Sequence, residues 1–123
     1  MTTYRSQVAV AGLLLLAGAV LHGYENLVLS TYPDAWFYLW SLLPYVVCLI
    51  VLVLAKNPIP TIAAASVALA IDGLAHYEVF INPKGSTAAL VLLFAPLWNT
   101  IIFVPATMLV TRLVVRRRNA HAP

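Results

Sequence analysis

VAVAGLLLLAGAVLHGYENLVL, residues 8–29, holds no charged side chain before Glu25. At a rise of about 1.5 Å per residue, a helix of this length crosses a hydrocarbon layer about 30 Å thick. Three more stretches of the same kind follow, at residues 36–55, 61–81 and 88–115, separated by brief polar breaks. Together they predict an all-α fold: an integral membrane four-helix bundle, up-down and antiparallel, with residues 1–123 forming a single four-transmembrane-helix domain. The breaks carry their own punctuation. Ser30-Thr31-Tyr32-Pro33-Asp34 ends the first helix, and Asp34 is placed to cap the second. Lys56-Asn57-Pro58-Ile59-Pro60 is a turn that no helix passes through, and Asn82-Pro83-Lys84-Gly85-Ser86 is another, with Ser86 as the expected cap of the fourth helix. Connections this short make sequential neighbours antiparallel.

Composition agrees. The chain has 123 residues, is 63% hydrophobic and 9% charged, which is too little charge to clothe a water-soluble domain and argues against a soluble enzyme. The first stretch imitates a signal peptide, with Arg5 ahead of an apolar run and Ala17-Gly18-Ala19 behind it. The apolar character resumes at Leu27–Leu29, so the segment is expected to stay as a spanning helix.

Orientation follows from Lys and Arg. Arg5, Lys56, Arg112, Arg116, Arg117 and Arg118 fall on one side of the predicted bundle and Lys84 on the other. The positive-inside tendency then puts both termini in the cytoplasm, in a cell inner membrane. No aromatic or further basic surface accompanies the Arg116–Arg118 run, so it reads as a topology signal beside a bilayer, with no nucleic-acid partner. Trp36, Phe37, Tyr38 and Trp40, with Tyr24 and Tyr32, gather at the opposite interface, where amphipathic rings anchor helices. A four-helix unit leaves packing surface to lipid, to a second copy or to partner helices.

The ionisable residues inside the apolar stretches are the candidate site. His22, Glu25 and Asn26 share one face of the first helix, and Asp72 and His76 share one face of the third. Ala64 and Ala68 continue the latter stripe, and small residues at this spacing let helices approach closely. Counted from the cytoplasmic end, the two histidines both lie at roughly 21–22 Å, Glu25 and Glu78 at roughly 25 Å and Asp72 at about 16 Å. His22, Glu25, Asp72 and His76 are therefore expected to converge in the outer half of the bundle, paired within each helix (His22 with Glu25, His76 with Asp72) or across the two. Pro44 and Pro96 fall at similar depths, and paired kinks there would open a cavity beside the group, with Asn99 in its wall. Trp98, deep in the predicted membrane span, needs a partner for its indole N–H or a cavity beside it.

Four functions fit this pattern. The favoured one is a binding or accessory protein whose buried His/acid site fixes helix register and receives a small ligand, a proton or a partner helix. Level histidines on two helices also suit axial haem ligation, and two His with two carboxylates suit a divalent metal. Helices one and three are diagonal in a square bundle, so a haem would have to fill the core. No Glu-x-x-His motif of a di-iron bundle is present. A His/acid pair beside lipid would serve a membrane-embedded acid–base enzyme acting on a lipidic substrate. A proton-coupled carrier is the fourth reading, although no internal repeat supports an inverted-topology transporter. Cys48 stands alone, and no phosphate loop, nucleophile elbow or Cys-x-x-Cys occurs. The identity of any cofactor is left open.

Overall fold

A computed structural model describes residues 2–83, 85 and 88–122, and among these the regular structure is entirely helical. Helix α1, Thr2–Tyr24, runs on through a π-helical turn at Glu25–Leu29. Helix α2 is Ala35–Leu54, and α3, Ile59–His76, continues through a second π turn at Tyr77–Ile81. Helix α4, Ala88–Trp98, passes through a third π turn, Asn99–Phe103, into α5, Val104–His121. The result is four continuous helices, each long and apolar enough to cross a membrane.

Local chemistry accounts for the joints. Asp34 caps α2 as expected, its Oδ1 accepting from the Trp36 amide at 2.9 Å. Asn57 Oδ1 likewise accepts from the Ile59 amide at 3.1 Å and starts α3 after the Pro58 turn. Pro105 has no N–H for the carbonyl one turn earlier; ahead of it the ladder widens, and the Val104 amide reaches back five residues to Asn99. The expected cap Ser86, like Lys84, lies outside the described residues. The Arg116–Arg118 run is not a separate tail, because α5 carries it in helix as far as His121.

Packing is inside-out in size. The fully buried apolar positions are small: Ala64, Ala65 and Ala68 on α3, Cys48 on α2 and Ala11 on α1, with Val104 the largest among them. Leucines and valines such as Leu13, Val20, Val53 and Leu54 are exposed. Small side chains bring the backbones together, and Gly18 shows this most sharply: a Cβ there would collide with the Tyr45 ring.

One expectation is corrected here. Helices one and three are not diagonal; α1 packs directly on both α2 and α3, and so does the α4–α5 helix, while among the described residues α1 has no extensive contact with α4 or α5. The bundle is a rhombus whose short diagonal is the α2–α3 pair. Alanines at residues 64, 65 and 68 keep that diagonal short, which leaves no central space for a haem.

Candidate functional site

Six polar residues drawn from all four helices, five of them buried and one partly so, form one continuous hydrogen-bonded chain. His22, on the last turns of α1, stands at its centre. Its Nδ1 is hydrogen-bonded to Glu25 Oε2 at 3.0 Å, and its Nε2 is hydrogen-bonded across to Asp72 Oδ2 on α3 at 3.0 Å. Glu25 passes the chain on, accepting at Oε1 from His76 Nδ1 at 2.8 Å. At the other end, Asp72 Oδ2 also accepts from the Tyr45 hydroxyl of α2, and Oδ1 accepts from Asn99 Nδ2 at 3.0 Å. His22, Glu25, Tyr45, Asp72 and Asn99 are all buried, and His76 is partly so.

Of the two pairings the sequence allows for His76, within its own helix or across to the first, the cross-helix one forms. Asp72 is taken by His22, Tyr45 and Asn99, and His76 bonds to Glu25 instead. The reason is rotational. Adjacent packing of α1 and α3 turns both polar faces into one seam, where cross-helix partners lie nearer than partners one turn away. The His22–Glu25 pair is made within its helix as expected. Glu78, on another face of α3, is exposed and has no ion pair among the described residues.

Proton inventory follows from the contacts. A carboxylate has no hydrogen to give, so each imidazole nitrogen facing one must carry its own. With Glu25 and Asp72 ionised, His22 is an imidazolium donating on both sides. The group then carries one excess negative charge while His76 is neutral, and none when His76 Nε2 is also protonated. That nitrogen has no hydrogen-bond partner among the described residues. Buried charges this close are stable only as a set, because removal of one member strands the others without water.

Asn26 is buried but stands outside the ionisable chain. Its amide is spent on the α1–α2 connection: Nδ2 donates to the Asp34 carbonyl at 3.1 Å, and Oδ1 accepts from the Asp34 amide at 3.1 Å. Asn99 was expected in a cavity wall. It is instead fully buried against Asp72 and the Ala68 carbonyl, with its Oδ1 lacking a partner among the described residues.

A cavity of about 190 Å³ does open beside the chain, lined by His22, Glu25 and Asn26 of the first helix, Phe37 and Ser41 of α2, and Phe80 and Leu92 beyond them. Glu25 spends one lone pair of each oxygen on a histidine and keeps acceptor capacity toward this space. Phe37 is the one ring of the Trp36–Trp40 cluster in its wall. Trp40 donates its indole N–H to the Leu93 carbonyl at 2.9 Å, and Tyr38 its hydroxyl to the Ala19 carbonyl at 3.2 Å, so both stitch helices together. Trp98 sits half-exposed in a separate open groove with Ile71, Phe94 and Phe103.

Each π turn adjoins the polar chain: Glu25 begins the first, Tyr77 follows His76, and Asn99 begins the third. Such turns shift a side chain's direction by inserting extra backbone, and they recur at functional sites. Among the described residues no group of three or more His, Cys, Asp or Glu side chains is arranged to hold a metal ion. Both His22 nitrogens are committed to carboxylates, which leaves that histidine no lone pair for a haem iron. Tyr45 escaped the sequence reading. Its signal was a hydroxyl deep in an otherwise apolar stretch, directly after Pro44 and four residues beyond Ser41.

No protein-family model, no curated protein and no solved structure matches this chain.

Proposed function

We propose that the chain is a multi-pass membrane protein, an up-down antiparallel four-helix bundle in a cell inner membrane with both termini cytoplasmic, and that it binds a small cationic ligand in exchange for a proton. The membrane reading draws on four apolar helices with large side chains outward, and on the Lys/Arg asymmetry. In that frame the polar chain lies in the outer half of the bundle.

The observation that carries the binding reading is the Glu25 carboxylate in the cavity wall, hydrogen-bonded to two histidines. An excess negative charge away from water is costly, and either a second proton or a bound cation relieves it. The cation would sit against Glu25 with its apolar part toward Phe37, Phe80 and Leu92. The two compete, so binding releases a proton and weakens on acidification. A cavity of about 190 Å³ limits the ligand to a small amine or ammonium compound.

Calorimetry of the detergent-purified protein with n-butylammonium tests this in buffers of differing ionisation enthalpy. Binding is expected with a buffer-dependent heat, lost in Glu25→Gln, and without proton release in His76→Gln. If n-butanol binds as well as n-butylammonium, or if neither binds, the reading fails. Reporter fusions after α5 and in the α3–α4 connection should fall on opposite sides of the membrane.

A membrane-embedded acid–base enzyme acting on a lipidic substrate is the second reading, favoured by the unpartnered Nε2 of the partly exposed His76.

A further inference from the structure

A second cavity, of about 360 Å³, lies near the start of α3, remote from the His/acid chain. Lys56 and Asn57 of the α2–α3 turn line it together with Arg112 of α5, and its apolar wall is Val51, Ala55, Pro60 and Met108. Two cations thus face one space. The chain has four acidic residues, Glu25, Asp34, Asp72 and Glu78, and none lines this cavity. Asp34 caps the far end of α2, and Glu78 lies in the π turn at the far end of α3. Neither Lys56 nor Arg112 has a carboxylate partner among the described residues.

Like charges lining one cavity repel unless an anion joins them. The guanidinium fork of Arg112 matches two oxygens of a tetrahedral anion, and the Lys56 ammonium adds a point charge. Asn57 spends its Oδ1 on the Ile59 amide and keeps its Nδ2 as a further donor. Residues 58 to 60 offer no backbone donor, since Pro58 and Pro60 have no N–H and the Ile59 amide is already engaged. Selectivity therefore falls to the side chains, and the apolar wall suits an anion attached to a hydrocarbon body.

We propose that this pocket binds a phosphate group, presented by an anionic phospholipid headgroup or as a free phosphate. The phosphate chemistry stands apart from the ligand reading of the His/acid site, and the lipid source rests on the membrane reading.

Delipidated full-length protein in neutral detergent is titrated with dioleoyl phosphatidylglycerol, dioleoyl phosphatidylcholine and inorganic phosphate, with complexes counted by native mass spectrometry. A one-to-one phosphatidylglycerol complex is expected. Combined Lys56→Gln and Arg112→Gln should weaken it roughly thirtyfold, from about a fivefold contribution of each charge near a membrane surface. Both side chains are exposed, so helicity and melting temperature should be retained. Replacing Arg116, Arg117 and Arg118 with Gln should leave the same complex within about twofold. If inorganic phosphate displaces the lipid at equal concentration, the free anion is the source. Equal binding of the two lipids with no phosphate binding overturns the proposal. So does a loss that follows the Arg116–Arg118 substitutions and spares the Lys56/Arg112 pair.

Discussion

In the first half of α3, Ala64, Ala65 and Ala68 are fully buried and meet Cys48 and Val104 with side chains that set little beyond distance. In the second half, Asp72 is nearly as buried, yet it meets His22, Tyr45 and Asn99 through hydrogen bonds of fixed direction. The alanine half makes close approach possible and would accept many rotations of its neighbours. The aspartate half accepts one rotation, because a slip of one residue, about 100°, turns Asp72 away from three donors at once. Contact distance and rotational register are thus set at different places on one helix. The same comparison explains why a polar cluster is tolerable where it stands: the alanines bring α1, α2 and α4–α5 near enough to satisfy it.

The most severe way to break the comparison is Asp72→Ala, which strands the buried His22 ring and its bond to Glu25 without their partner on α3. We expect a loss of about 3–5 kcal/mol, read by unfolding in mixed detergent. The double variant with His22→Ala should cost much less than the two single losses added together. Additive losses would mean that the chain is a set of independent pairs. Next comes overpacking of the alanine half. Ala68→Leu should cost about 1–3 kcal/mol and weaken the Asp72 contacts as α3 is pushed away, whereas Ala68→Gly should leave those contacts in place. A normal melting temperature in Ala68→Leu would show that close approach is not needed there. The smallest effect is expected for Tyr45→Phe, which removes one donor from an acceptor that keeps two others, at about 1–2 kcal/mol. A loss as large as that of Asp72→Ala would make Tyr45 the keystone and would shift the centre of the site toward α2.

Much of this was legible before folding. Segment length and the Pro58 and Pro83 turns marked the helix ends at the three connections, because apolar runs and proline act locally, whereas the polar ends of the first and last helices run on, α1 from Thr2 and α5 to His121. The polar face of His22, Glu25 and Asn26, and that of Asp72 and His76, were legible from the helical period alone. The involvement of Tyr45 was not, since its hydroxyl is identified by a partner on another helix. The amide partners of Asn26 were not legible for a similar reason: its period places it on the site face and it lines the cavity, but the Asp34 backbone it bonds is brought near only by the folded turn.

The sequence by itself determined that there are four apolar helices, where the turns between them fall, and which faces carry polar groups, because these depend on residues within a turn or two of one another. The tertiary structure alone decided which helices are neighbours, that His76 bonds to Glu25 and not to Asp72, and that Asn99 completes the acid while Leu92 and Phe37 border the cavity. Those choices depend on interhelical distance and rotation, which arise from the fit of Gly18 against Tyr45 and of the α3 alanines against their neighbours. Such fits are properties of surfaces in contact, and no periodicity within a single helix encodes them.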